Sequence, residues 1–344
     1  TPGFVQNLIP RDYQVKLAKD GYHDWNKTLP IYSNETTFIE DITLFLNTKP
    51  SSLVQADIVK SAVSPDQVIM AYLISTESWL ELWTYNIETE EQLLLNRYID
   101  SPNENITFSW STDGERLLIE HEQTTNTSYL GIDKNGNSRI EMSEATEETV
   151  EHAWWHPEDP LVVLFYSPTE TFQYRISTGQ VTEIYTGPTL ATTDEGQAVL
   201  IQNVDNATSV FRSVNDHTSL LAYLPLGEYE LLPASWPHLL LHEPDKERLI
   251  LIDIQQDSQP ILLDADASGA TWATDGSGRL LYYNDFEVHI YDPTGHTDEL
   301  LVRISEPTLS AAWHPEGNAV LACRSSGLYA IELDWRDQRN IYQL

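Results

Sequence analysis

The residues best suited to chemistry are the carboxylates of Asp264-Ala265-Asp266-Ala267-Ser268-Gly269, running on to Asp275. Calcium takes oxygen ligands, and a calcium loop sets them at alternate positions with a glycine at the sixth. Asp264, Asp266 and Ser268 stand at positions 1, 3 and 5, and Gly269 at 6. Asp275 falls at position 12, where a bidentate glutamate is preferred. Calcium is thus the one cofactor the residues suggest, with Asp264, Asp266, Ser268 and Asp275 as its ligands. The competing reading is an acidic connection between two repeats. Ala270-Thr271-Trp272 reads as a strand and Asp275 as the turn that follows it.

Other candidates are thinner. Asp133-Lys134-Asn135-Gly136-Asn137 has the look of a second calcium loop, but Asn-Gly between apolar runs is first a hairpin turn. His238 and His242 are four apart, which in a strand puts both on one face, short of the three or four ligands zinc takes. His156 and His314 each follow a tryptophan and precede a proline, and this repetition points to turn stabilisation. There is no Gly-x-Ser-x-Gly elbow, no His-Glu-x-x-His and no phosphate-cradling glycine loop. The single cysteine, Cys323, sits in an alternating apolar run and reads as a small core residue. Five Asn-x-Ser/Thr sequons, at Asn26, Asn34, Asn105, Asn126 and Asn206, matter only in an exported, glycosylated chain.

Charge narrows the partners. The 344 residues carry 19 basic and 53 acidic side chains, a net charge of −34. Such a surface repels phosphate backbones and anionic headgroups, so nucleic acid is excluded as a partner. It attracts cationic partners and divalent ions instead. No apolar run reaches 18 residues, so no membrane-spanning helix is expected within the chain.

The elements that must position these groups are marked by tryptophans. Trp110, Trp155, Trp236, Trp272 and Trp313 each stand just before a turn and a fresh apolar run. Val63-Ser64-Pro65-Asp66 and Ala191-Thr192-Thr193-Asp194 keep the turn without the tryptophan. The turns recur every 38 to 48 residues, the period of a β-propeller with one four-stranded blade per repeat. Repeats starting near 55, 107, 151, 190, 230, 267 and 309 predict an all-β, seven-bladed propeller over 53–344. The tryptophans are expected to fill the wedge between neighbouring blades. Residues 1–46 differ: YQVKLAKDGY, TLPIYS and TTFIEDITLFL read as three strands of a separate small unit, with 47–52 as a polar linker.

Two resemblances follow from these residues. Thr1-Pro2, Leu8, Tyr13-Gln14-Val15-Lys16-Leu17, Lys19-Asp20-Gly21-Tyr22 and Trp25 resemble the later part of a PEGA domain. The chain departs from that pattern at Pro10-Arg11-Asp12, where Pro-Gly is usual, and lacks the opening strands. The turns Trp110-Ser111-Thr112-Asp113-Gly114 and Trp272-Ala273-Thr274-Asp275-Gly276 resemble those of TolB-type and WD-like propellers. The resemblances imply a surface-associated module joined to a binding platform. The expectation is a non-enzymatic, extracytoplasmic binding or scaffold protein at a prokaryotic cell surface or envelope, anchored through a segment upstream of Thr1. Its partner would be a protein or envelope component, cationic in character. The first alternative is a hydrolase or lyase with an acidic or metal site at the channel mouth. The second is a structural component of a surface layer or filament. Converging Asp, Glu or His side chains would favour an enzyme, whereas Ser, Thr and aliphatic side chains along the mouth would count against one.

Overall fold

The computed structural model describes residues 5–40, 42–101, 104–156, 159–167, 170–185, 191–192, 198–204, 206–214, 217–232, 237–254 and 259–344. The chain divides into two compact units. Leu53–Leu226 forms one, and Thr1–Ser52 with Gly227–Leu344 forms the other.

Seven sheets follow one another along the chain, each a meander of four consecutive antiparallel strands. They span 58–99, 105–141, 152–185 and 191–225 in the first unit, and 230–264, 269–303 and 308–343 in the second. These are blades 1 to 7, and they start within three residues of the predicted repeats. Among the described residues no sheet mixes strands from the two ends of the chain. Adjacent blades within a unit bury their apolar faces against each other. Leu73, Leu82, Ile119 and Ile132 join blades 1 and 2, and Leu281, Val288, Trp313 and Val320 join blades 6 and 7. In blades 1, 3, 4, 5 and 6 the register slips once between the third and fourth strands. Such bulges raise local twist, which a blade needs at its outer edge.

The tryptophans do more than fill space. The indole of Trp110 donates to Ala62 O at 3.0 Å, that of Trp155 to Ser109 O at 3.1 Å, and that of Trp313 to Thr271 O at 3.0 Å. Each acceptor lies on the first strand of the preceding blade, one residue before the equivalent of the tryptophan. The beat is therefore an inter-blade latch. Trp236 lies outside the described residues.

Among the described residues the turns after the beat are capped from within. Ser111 Oγ donates to Asp113 Oδ1 at 2.6 Å, and the same oxygen accepts Glu115 N. In the His-Pro turns the imidazole supplies the acceptor: His156 Nδ1 takes Asp159 N at 3.0 Å, and His314 Nδ1 takes Glu316 N at 3.3 Å. Gly317 has φ +69°, and a Cβ there would meet the Asp275 carboxylate. A close approach and a left-handed backbone thus both call for glycine.

Before blade 1, β1 (Arg11–Leu17) and β2 (Trp25–Ile31) form a two-stranded antiparallel sheet. The third predicted strand, TTFIEDITLFL, forms no strand among its described residues. Only Leu46 makes a bridge, to Tyr22. Its side chains serve blade 7 instead. Phe45 packs with Ala319, Ala330 and Tyr342, and Thr43 donates to Glu316 at 2.6 Å.

The docking is tied by buried charge. Lys27 and Glu332 form an ion pair with the lysine side chain fully covered. Lys27 also donates to Asp334 O at 2.9 Å and Gln338 O at 2.6 Å, which uses all three of its protons. The Trp25 indole donates to the other Glu332 oxygen at 2.9 Å.

Candidate binding surface at the strand ends

One register position concentrates polar chemistry. It lies three residues before the tryptophan beat on the first strand of each blade. In blades 1, 2 and 3 it holds Lys60, Thr107 and His152, opposite Leu73, Glu120 and Tyr166 on the second strand. In blades 6 and 7 the same position holds Gly269 and Ser310, opposite Tyr283 and Cys323.

Antiparallel neighbours share a face, so each pair meets directly. Glu120 accepts from Thr107 Oγ1 at 3.0 Å and from Tyr129 Oη at 2.7 Å. Tyr129 Oη also lies 3.3 Å from His152 Nδ1 and donates weakly to Glu151 O at 3.2 Å. Burial and the Glu120 carboxylate push the Tyr129 phenol far up, so it holds its proton. On the neighbouring blade Lys60 donates to Asn105 Oδ1 at 3.0 Å. Partial burial lowers the Lys60 pKa, against the opposing pull of Glu120 and Glu122.

Past His152 the surface turns aromatic. The His152 ring stacks on Trp154 with centroids 5.5 Å apart, and Tyr166 meets both at 6.0 and 6.3 Å. All three are partly buried. The result is a pair of carboxylates, Glu120 and Glu122, with Glu120 joined through Tyr129 to an aromatic shelf. Such an arrangement can hold a cation by charge and by the negative faces of the rings. The Thr107 and Tyr129 hydroxyls each donate to one oxygen of Glu120, so both carboxylate oxygens already have a partner.

The predicted calcium residues are placed as follows. Asp264 ends the fourth strand of blade 5; its carboxylate accepts Asp266 N at 3.0 Å and Asn284 Nδ2 at 2.9 Å. Asp266 and Ser268 are exposed in the connection to blade 6. Asp275 lies beyond the first strand of blade 6 and accepts Ser277 N at 2.9 Å and Arg279 Nη2 at 3.0 Å. Among the described residues no three His, Cys, Asp or Glu side chains are grouped to hold a metal ion. Asp133 caps a hairpin turn by accepting the amides of Asn135, Asn137 and Ser138. His238 stacks on Trp272 while His242 faces Glu230, its register partner. Cys323 is partly buried.

A cleft of about 190 Å³ lies where the N-terminal segment meets blade 7, lined by Thr43, Phe45, Asn318, Glu332 and Arg336 among others. It is smaller than the roughly 300–1,000 Å³ of typical ligand pockets.

Motif reasoning missed Lys60, Glu120, Tyr129, His152, Trp154 and Tyr166. The signal was present: counting back three residues from each beat aligns Lys60, Thr107 and His152, polar groups in three successive repeats.

No protein-family model matches the chain, and no curated protein matches it. Solved structures do. A prolyl endopeptidase is similar at 12% identity with a TM-score of 0.53, over 84% of this chain and 50% of that one. This chain thus spans about half the length of that enzyme. The β-propeller domain of the Trilobed protease from Pyrococcus furiosus, described as having an open velcro topology, matches at 10% identity and a TM-score of 0.51, over 84% and 95%. An oligogalacturonate lyase in complex with manganese follows at 13% identity and a TM-score of 0.48, over 84% and 86%. Identities this low speak to fold alone: the chain is a seven-bladed β-propeller.

Proposed function

We propose that the protein is a non-catalytic binding platform that recognises a cationic segment of a protein partner outside the cytoplasm. The observation that carries this reading is the composition of the first strands. In propellers this strand lines the channel. In blades 1, 2 and 7 its exposed positions are Ile58, Val59, Ser61 and Val63 in blade 1, Asn105 and Ser109 in blade 2, and Leu309, Ser310 and Ala312 in blade 7. These aliphatic, hydroxyl and amide side chains offer no general acid or base, and the two titratable groups on the first strands of blades 1 to 3, Lys60 and His152, are partly buried. The carboxylates and aromatic rings of blades 2 and 3 supply the complement to lysine or arginine. The acidic surface, with 53 carboxylates against 19 bases, favours the same partner. Envelope location is supported by the PEGA-like residues of the N-terminal segment and is checked by fractionating native cells.

Calorimetric titration of the 344-residue protein with an oligolysine and an oligoglutamate peptide tests the reading. The oligolysine is expected to bind, at least about tenfold more weakly in high salt than in low, because the contact is electrostatic. Equal affinity for both peptides would contradict it. So would turnover of a peptide or oligosaccharide substrate that Glu120→Gln abolishes.

A further inference from the structure

We propose that two copies of this chain associate through β1, pairing its free edge antiparallel about Gln14 into a four-stranded sheet.

Among the described residues β1 hydrogen-bonds to β2 alone, so its other edge presents unpaired amides and carbonyls. An exposed edge is a template for a further strand. The sequence Arg11-Asp12-Tyr13-Gln14-Val15-Lys16-Leu17 is complementary to itself in the antiparallel sense. Centred on Gln14, Asp12 of one copy stands opposite Lys16 of the other, twice over. Tyr13 stands opposite Val15, and Arg11 opposite Leu17. Opposite charges and aromatic–β-branched neighbours are the favourable cross-strand pairs. Asp12, Gln14 and Lys16 share the exposed face, while Tyr13 and Val15 lie on the partly buried one. Lys16 already pairs with Asp24 at 2.5 Å, but both side chains are about half exposed, so little holds that pair against a second carboxylate.

Charge distribution selects the same place. Residues 1–52 carry five basic and six acidic side chains, a net charge of −1, and the rest of the chain carries −33. Net repulsion between two copies is therefore weakest at this segment. The apolar side chains flanking the strand, Val5 and Ile9, are more than 70% exposed. A symmetric, isologous contact closes at two copies and uses the free edge of β1 in both.

Sedimentation velocity of the 344-residue chain tests this. The expected result is a concentration-dependent equilibrium between 39.2 kDa and twice that mass. Asp12→Lys sets like charges opposite each other and is expected to weaken the dimer at least about tenfold. Asp12→Lys with Lys16→Asp restores the opposition and is expected to restore the dimer. Unchanged melting of both variants confirms that the fold is intact. A monomer at every concentration overturns the proposal, as does a dimer that Asp12→Lys leaves intact or that the double variant fails to restore.

Discussion

Blades 1 to 3 and blades 6 and 7 use the same register position in opposite ways. Lys60, Thr107 and His152 occupy it in the first region, and Gly269 and Ser310 in the second. In blade 6 the Tyr283 side chain lies so close over Gly269 that a Cβ there would sit 2.6 Å from its hydroxyl. The position is closed by packing. Blade 7 keeps its charges elsewhere: Lys27 and Glu332 are buried against each other and hold the N-terminal segment. Lys60 keeps partial exposure and a single amide partner. A lysine beside carboxylates is structural where every proton has a partner and water is shut out. Where neither holds, as at Lys60, the lysine adds little to the fold and competes with a cationic partner for the carboxylates beside it.

The largest effect is expected from Glu332→Ala. It strands Lys27 without its buried counter-ion and should cost about 3–5 kcal/mol in urea unfolding, with oligolysine affinity unchanged. An equal loss of peptide affinity would dissolve the distinction between the two regions. Gly269→His transplants the blade 3 residue into blade 6. Overpacking against Tyr283 should cost about 1–3 kcal/mol, read from the melting midpoint, with no gain in peptide binding.

Lys60→Gln should change stability by less than about 0.5 kcal/mol. It removes a positive charge beside Glu120 and Glu122, so oligolysine should bind roughly three- to tenfold more tightly by calorimetry. Acid tests the charges that serve structure. Hydrogen bonds from His289 and Arg303 hold the Glu287 carboxyl below its usual range, and those from the Ser64 hydroxyl and Val68 amide do the same for Asp66. A group with a depressed folded pKa stabilises above its unfolded pKa and loses that contribution as pH falls through the folded value. Stability should therefore decline below about pH 4, the ordinary carboxylate range. A flat melting midpoint down to pH 3 or so would show that these bonds contribute nothing. The smallest effect is expected from calcium. Asp264 and Asp275 already have partners in Asn284 and Arg279, so millimolar calcium should leave the melting midpoint unmoved. A rise of several degrees would restore the calcium-loop reading of Asp264, Asp266, Ser268 and Asp275.

The blades were legible in the sequence because the Trp and turn signal is local and repeats. Its partners were not: the acceptors of Trp110 and Trp313 lie 48 and 42 residues upstream, and no local pattern names them. Lys27 and Glu332 meet across almost the whole chain, which is why residues 1–46 read as a separate unit. TTFIEDITLFL has strand propensity, but contacts with blade 7 overrode it. The site went unread for a different reason. Motif searches look along the chain for nucleophiles and metal ligands, whereas Lys60, Thr107 and His152 align only across repeats.

Hydrogen–deuterium exchange of the 344-residue protein, with and without oligolysine, tests the central claim most directly. Protection confined to 105–130 and 151–166, with 23–45 and 314–342 unchanged, is the predicted result. Protection at 23–45 and 314–342 instead, or no protection at saturating peptide, would contradict it.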